Sequence, residues 1–357
     1  MLRCSDCDRR YDDRFRCVCG APLDFEEYSL PSRRPGDGVD PAAGLWTFES
    51  LLPVERRVSL GEGFTPLLED DEVVDGIDVS VKLDYLFPSG SFKDRGATAT
   101  VSRALALGVD RVVEDSSGNA GAAIATYAAR AGIDAEIYVP ASAPQSKTAT
   151  IERTGADIVA VEGSREAVTE ACLDRIEDAE DAWYASHAWR PSFLAGTSTM
   201  AHEIVHQRGY TAPDAVVIPL GHGTMFLGAY YGFRDLKRLG WIDRLPRLLG
   251  AQAAGYAPIA AACQGGPGDA DRNDLADGVQ IREPIRRETI LAAIDASDGD
   301  AIAISASKTE AFQDRLHRRG YHVEPTCAIA PAAAAEYYER GVLDSGDDVV
   351  IPLSGRK

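Results

Sequence analysis

"RVVEDSSGNAGAAIATYAARAG", residues 111–132, carries the reading of the fold. A short apolar run opens it, a Ser/Gly/Asn turn follows, and an alanine-rich segment closes it, which predicts strand, turn and helix in succession. The chain then repeats the theme with "AEIYVP" (135–140) as strand, "SKTATIERTG" (146–155) as helix, "ADIVAVEG" (156–163) as strand and "SREAVTEACLDRIEDA" (164–179) as helix. Such alternation predicts a parallel sheet built from βαβ units.

A second series follows. Helix signals at 197–209, 225–240, 308–320 and 330–343 are interleaved with strand signals "AVVIPLG" (215–221), "RLLGAQA" (247–253) and "DVVIPLSG" (348–355). At 357 residues the chain exceeds one ordinary core, so two α/β lobes are expected. The smaller would span roughly 85–195, inserted in a larger lobe made of roughly 40–84 and 196–357. Residues 1–24 read as a separate small module, joined to the region 25–357 by the Pro/Gly-rich connector "PSRRPGDGVDPAAG" (31–44).

Composition narrows the partners. The 56 acidic and 37 basic residues give a net charge of −19, a surface that repels phosphate backbones and argues against nucleic-acid binding. An acidic, lysine-poor composition also resembles that of proteins from salt-loving (halophilic) organisms. No run reaches the roughly 18 apolar residues of a membrane span, and "MLRCSDCDRR" is too charged for a secretory signal, so the expected setting is cytoplasmic.

Four of the seven cysteines, Cys4, Cys7, Cys17 and Cys19, crowd the first twenty residues. Disulfides are one reading, but a cytoplasmic setting opposes them. Thiolates at this spacing can close a tetrahedral zinc site, with Gly20 allowing a tight turn, although the second pair is separated by one residue instead of two. Cys172, Cys263 and Cys327 read as small core residues.

In open α/β sheets the loops leaving strands at their carboxyl ends bind ligands. "SSGNAG" (116–121) offers hydroxyls, amides and a helix start that suits an anion, though the same residues serve as an ordinary cap. "PLGHGTM" (219–225) combines Gly221 and Gly223 with the Thr224 hydroxyl as a phosphate cradle; it matches neither a Walker loop nor the dinucleotide fingerprint. "PLSG" (352–355) ends the last strand and alone implies no function. Lys93, in "SGSFKDRGA" (89–97), is one of six lysines. On a solvated surface it would mean little, but among small residues and turns its amine loses its proton more readily and can form a Schiff base with a carbonyl. A phosphate cradle elsewhere in the chain points to pyridoxal phosphate as the owner of that carbonyl.

Taken in order, "SGSFKDRGA", "SSGNAG", "PLGHGT" and "PLSG" resemble the fold-type II pyridoxal-phosphate enzymes, the tryptophan synthase β-like superfamily. "LGEGFTPLL" (60–68) and the cysteine-rich start are similar to the threonine synthase family. The resemblance implies a two-lobed α/β fold with parallel or mixed sheets flanked by helices, a zinc-ribbon-like N-terminal knuckle and a homodimer. It implies Lys93 as covalent anchor and proton carrier. Phe92, Asn119, Gly221, His222, Gly223, Thr224, Met225 and Ser354 would hold the cofactor, while Ser116, Ser117, Gly118 and Ala120 take the substrate carboxylate. Arg95 is a candidate for a substrate phosphate, with a salt bridge as the equal alternative. "VEPTCA" (323–328) reads as packing near the site.

The activity implied is conversion of O-phospho-L-homoserine and water to L-threonine and phosphate, an amino-acid biosynthetic lyase reaction. The alternatives are a threonine or serine dehydratase, a β-replacement enzyme making cysteine or cysteate, and a non-catalytic protein that keeps only the fold. The chain departs from the family's usual Asn-Pro-Thr-Gly before the lysine, having Phe87, Pro88, Ser89 and Gly90 instead.

Overall fold

The computed structural model describes residues 1–34, 38–178, 181–266 and 271–356; residues 35–37 of the connector and Ala179 of an expected helix lie outside them. The chain divides into two units. One comprises Met1–Glu62 and Lys93–Thr197, the other Gly63–Phe92 and Ser198–Lys357.

In the first unit the apolar runs of the opening stretch become four parallel strands in the order Asp157–Val161, Asp134–Pro140, Arg111–Glu114, Trp183–Tyr184. The alanine-rich helix Asn119–Ala131 packs on this sheet and against helix Lys93–Ala106, with Ala97, Val101, Ala123, Ile124 and Ile137 in one buried cluster. Small side chains let the two helices approach closely, and Tyr127 reaches across to donate its hydroxyl to Asp94 Oδ2 at 3.4 Å. The cysteine-rich segment forms its own antiparallel sheet, Arg10–Tyr11, Leu2–Cys4 and Leu23–Phe25. The segment before Glu62 belongs to this unit: Trp46 Nε1 donates to Glu62 Oε1 at 2.8 Å, and Leu45 N to the Glu62 carbonyl at 2.7 Å.

The second unit holds a six-stranded sheet in the order Asp300–Ile304, Arg247–Ala253, Ala215–Pro219, Asp348–Pro352, Asp78–Lys82, Leu67–Glu69. All neighbours are parallel except the edge strand Leu67–Glu69, which runs antiparallel. Helix Pro325–Glu339 lies over the sheet, burying Ile329, Ala330, Ala333 and Tyr337 against Val217, Leu249 and Val349.

Two helices begin earlier than their residues advertise. Helix Pro191–Gln207 opens with proline at a position where a missing N–H costs nothing, and continues through Gly196. Glycine is required there: a Cβ would stand 1.9 Å from the Arg95 carbonyl oxygen. Helix Pro325–Glu339 runs through Pro331, giving up one backbone hydrogen bond in exchange for burial of Thr326–Ala334 and Tyr337. Among the described residues no helix is long and apolar enough to cross a membrane.

One buried ion pair ties the second unit's opening segment to its sheet. Lys82 Nζ, at the end of strand Asp78–Lys82, lies 2.7 Å from Glu203 Oε2, and both side chains are fully buried. The ammonium also donates to the Thr65 carbonyl at 2.7 Å and to Gln207 Oε1 at 2.8 Å, while Thr65 N donates to Glu203 Oε2 at 3.1 Å. Every donor of the ammonium is thereby used, which is the condition under which a buried charge is tolerated. Glu203→Ala strands the lysine, so it should lower unfolding free energy by about 3–5 kcal/mol, read from chemical denaturation. The double variant Lys82→Met, Glu203→Leu should recover most of that loss. A single variant as stable as the parent would contradict this assignment.

Candidate active site

The carboxyl ends of three adjacent parallel strands converge on one edge of the six-stranded sheet. Strand Ala215–Pro219 leads into Gly221–Met225, strand Asp348–Pro352 into Ser354, and strand Asp78–Lys82 into the segment that ends at Lys93. The two latter paths are stitched together by the backbone. Leu353 N donates to the Lys82 carbonyl at 2.8 Å, Phe92 N to the Ser354 carbonyl at 2.9 Å and Arg356 N to the Gly90 carbonyl at 2.9 Å. Ser91 and Gly355 form an antiparallel bridge, and the reversal between them uses Gly90 at φ 91°. "SGSFK" and "PLSG", far apart in sequence, are therefore neighbours.

Lys93 begins helix Lys93–Ala106 and is half-buried, as Phe92 is. Its ammonium lies 6.0 Å from the centre of the Phe193 ring, at the outer range of a cation–π contact. Arg95, two residues on, is fully buried, so it is no surface residue of that helix. Ser116, Ser117, Gly118 and Asn119 are half-buried in the loop leaving strand Arg111–Glu114, with Ala120 buried behind them. Helix Asn119–Ala131 is capped by Gly118 with no side-chain bond, so its first N–H groups are not taken by a capping side chain. Gly118 N donates to Ser116 Oγ at 3.3 Å.

The loop at 221–225 is built in the same way. Gly223 has φ 82° and caps helix Thr224–Arg238 without a side chain. Its missing Cβ would sit 2.6 Å from Ile290 Cδ1, and that of Gly221 3.2 Å from the Gly278 carbonyl. Thr224 and Met225 are buried and His222 half-buried. The result is a cradle of backbone donors at a helix start, the arrangement that a phosphate requires.

Ser354 is buried, with its Oγ 3.4 Å from Cys327 Sγ. Cys327 donates to the Gly355 carbonyl at 2.9 Å and accepts from Gly355 N at 3.0 Å, which explains "VEPTCA" as support for the serine. Burial, helped by the charge of Glu324, pushes the Cys327 thiol up to about 12, so it is neutral at ordinary pH. The group beside Ser354 is thus a thiol and not a thiolate. The cradle and the buried hydroxyl, both in the second unit, have the donor chemistry that the phosphate and ring nitrogen of pyridoxal phosphate would take.

Separately, the sulfurs of Cys4, Cys7, Cys17 and Cys19 all lie within 4.8 Å of one another. The pairs Cys4–Cys19 and Cys7–Cys17 are 3.6 and 3.3 Å apart. Tetrahedral zinc with bonds of about 2.3 Å needs sulfurs about 3.8 Å apart, so the cluster is close to that shape. Burial raises the Cys17 thiol, but the Cys19 backbone N–H and donors from Tyr11, Cys19 and Cys7 outweigh it and bring it down to about 6.

Comparison with known proteins adds to this geometry. The family described as "Pyridoxal-phosphate dependent enzyme" matches residues 58–355. The chain is 33% identical to the threonine synthase of Methanosarcina acetivorans over 321 residues, covering 87% of this chain and 79% of that protein. It is 31% identical to the threonine synthase of Methanocaldococcus jannaschii over 380 residues, covering 99% and 92%. The fold is also shared with threonine deaminase isoform 2 from Solanum lycopersicum, with a TM-score of 0.72 at 22% identity, covering 94% and 93%.

Proposed function

The chain belongs to the pyridoxal-phosphate-dependent enzymes, and from that premise we propose that it is a threonine synthase, a lyase converting O-phospho-L-homoserine and water to L-threonine and phosphate. The observation that carries this reading is identity above 30% to threonine synthases along most of both chains, the N-terminal cysteine segment included in one of them. When bound, pyridoxal phosphate supplies the carbonyl that captures the substrate amine and draws electron density from Cα.

The protein's own residues do the rest. Backbone N–H groups of Gly221–Met225 and the Thr224 hydroxyl would hold the cofactor phosphate, with His222 and Met225 shaping the cradle. Asn119 would hydrogen-bond the ring oxygen, and Ser354 would face the ring nitrogen. A hydroxyl there, beside a neutral thiol, leaves that nitrogen unprotonated, which suits elimination and replacement over transamination. Phe92 fixes the approach of Lys93. Ser116, Ser117, Gly118 and Ala120 would take the substrate carboxylate at the helix start, and Arg95 is the candidate for the substrate phosphate. Lys93 Nζ would remove the Cα proton, then the Cβ proton, and water would add at Cβ.

The test is a panel of O-phosphohomoserine, threonine, serine and O-phosphoserine supplied separately to the cofactor-loaded protein. Phosphate and threonine should form from the first alone. Keto acid from threonine, with no phosphate from O-phosphohomoserine, would make it a dehydratase instead.

The cysteine cluster fits a structural zinc ion held by Cys4, Cys7, Cys17 and Cys19. Elemental analysis should find one zinc per chain in the parent, falling to background in the Cys7→Ser, Cys17→Ser double variant. A parent chain that neither carries nor takes up zinc would overturn the assignment.

A further inference from the structure

Asp13, between the two cysteine pairs, is tied to the edge of the four-stranded sheet. Its Oδ2 accepts from Trp183 Nε1 and from Arg190 Nη1, each at 2.8 Å. Arg190 is 4% exposed, its guanidinium lies 3.6 Å from the centre of the Trp183 ring, and its Nε donates to the Tyr184 carbonyl at 2.5 Å. Among the described residues Asp13 is the one carboxylate in ion-pair range of that buried cation. Burial pulls the Arg190 guanidinium down to about 10, and the charge of Asp13 opposes the fall. Two residues on, Phe15 stands edge-on to Tyr184 with ring centres 5.3 Å apart, and to Trp189 at 6.0 Å.

These contacts hold strand Trp183–Tyr184, which is two residues long and pairs with Val112 and Val113 of strand Arg111–Glu114. So short a strand has few backbone bonds of its own. Both its residues are fixed from the N-terminal segment: Trp183 by Asp13, and Tyr184 by Phe15 on its ring and, through Arg190, on its carbonyl. The Tyr184 hydroxyl donates to Asp115 Oδ1 at 2.8 Å, and Thr169 donates to the other oxygen at 2.5 Å. Asp115 immediately precedes Ser116, the first residue of the loop assigned above to the substrate carboxylate. The path from cysteine segment to loop is continuous and lies within one unit.

Asp13 and Phe15 stand on the stretch between Cys7 and Cys17, whose sulfurs belong to the four-cysteine cluster. A metal ion that joins those cysteines closes the stretch into a loop and makes its ordering part of metal binding. We propose that zinc at the cysteine cluster holds the Ser116–Ala120 loop in its binding geometry, with Asp13 and Phe15 as positioning residues; this rests on the zinc and carboxylate assignments made above. Loss of the metal releases the loop that carries Asp13. Arg190 is then a buried cation without its counter-charge, a state costly enough to drive it towards water and loosen the edge strand. The cysteine module is in this way a metal-dependent buttress of the substrate loop.

The test is amide hydrogen exchange read by mass spectrometry on the cofactor-loaded parent, the same protein stripped of metal by a chelator, and Asp13→Ala with its zinc retained. Peptides covering 111–121 and 182–190 should exchange about 10-fold or more faster in both altered forms, with peptides covering 215–219 and 348–352 unchanged. In Asp13→Ala the KM for O-phosphohomoserine should rise while kcat stays within about twofold of the parent. Unchanged exchange at 111–121 after stripping, or a parent that carries no zinc, would overturn the metal dependence. Unchanged exchange there in Asp13→Ala, or an equal rise in every peptide, would overturn the buttress. Should Asp13→Ala fail to fold, Phe15→Leu, which keeps the ion pair, decides by the same peptides. Failure of the proposed reaction would remove the KM reading alone, because exchange does not depend on turnover.

Discussion

The short antiparallel bridge between Ser91 and Gly355 is the constraint on which the active-site reading depends. Strands Asp78–Lys82 and Asp348–Pro352 run parallel to their ends, so their exits point the same way and could diverge. They are prevented from doing so because the chain reverses after Lys82 and returns against the exit of the last strand, with Phe92 bonded to the Ser354 carbonyl. Ser91 and Ser354 are both buried, and a buried backbone group left without its partner costs about 1–3 kcal/mol. The bridge is therefore an obligatory pairing at that depth, and Lys93 follows two residues beyond it.

That constraint also explains which side chains the site can use. With the last strand fixed, Ser354 is held against Cys327 at 3.4 Å, and the surroundings of that position are set by a hydroxyl and a neutral thiol. The neighbouring exit, after strand Ala215–Pro219, needs glycines at 221 and 223 because Gly278 and Ile290 occupy the space a side chain would take. Strand-end position, glycine content and helix start coincide there, as anion binding requires.

Much of this was legible in the sequence, and the reasons are local. Apolar runs bounded by turns mark strands: residues 247–253 are read as a strand and form Arg247–Ala253. Where a breaker is overruled by packing, local reading stops short: Gly196 lies inside helix Pro191–Gln207, read only from residue 197, because close backbone contact outweighs its propensity. Pro331 falls within the helix read over 330–343, which in fact begins at Pro325. Strand Asp78–Lys82 escapes notice because its last residue is a buried lysine whose partner, Glu203, belongs to a helix far along the chain. Strand Asp300–Ile304 has two alanines among its five residues and follows the polar stretch Asp295–Gly299, a weak strand signal. The glycine loops, Lys93 and Ser354 stand out as motifs. The buried contact between Glu114 and His187 does not, since only the fold joins residues 73 apart.

The central claim is that one lysine out of six is the covalent anchor of the cofactor. Borohydride reduction of the cofactor-loaded protein, followed by peptide mass mapping, tests it directly. The reduced cofactor should be fixed on the peptide containing Lys93 and on no other. Label on Lys82, Lys237 or any other lysine, or no fixed label in a yellow protein, would contradict it.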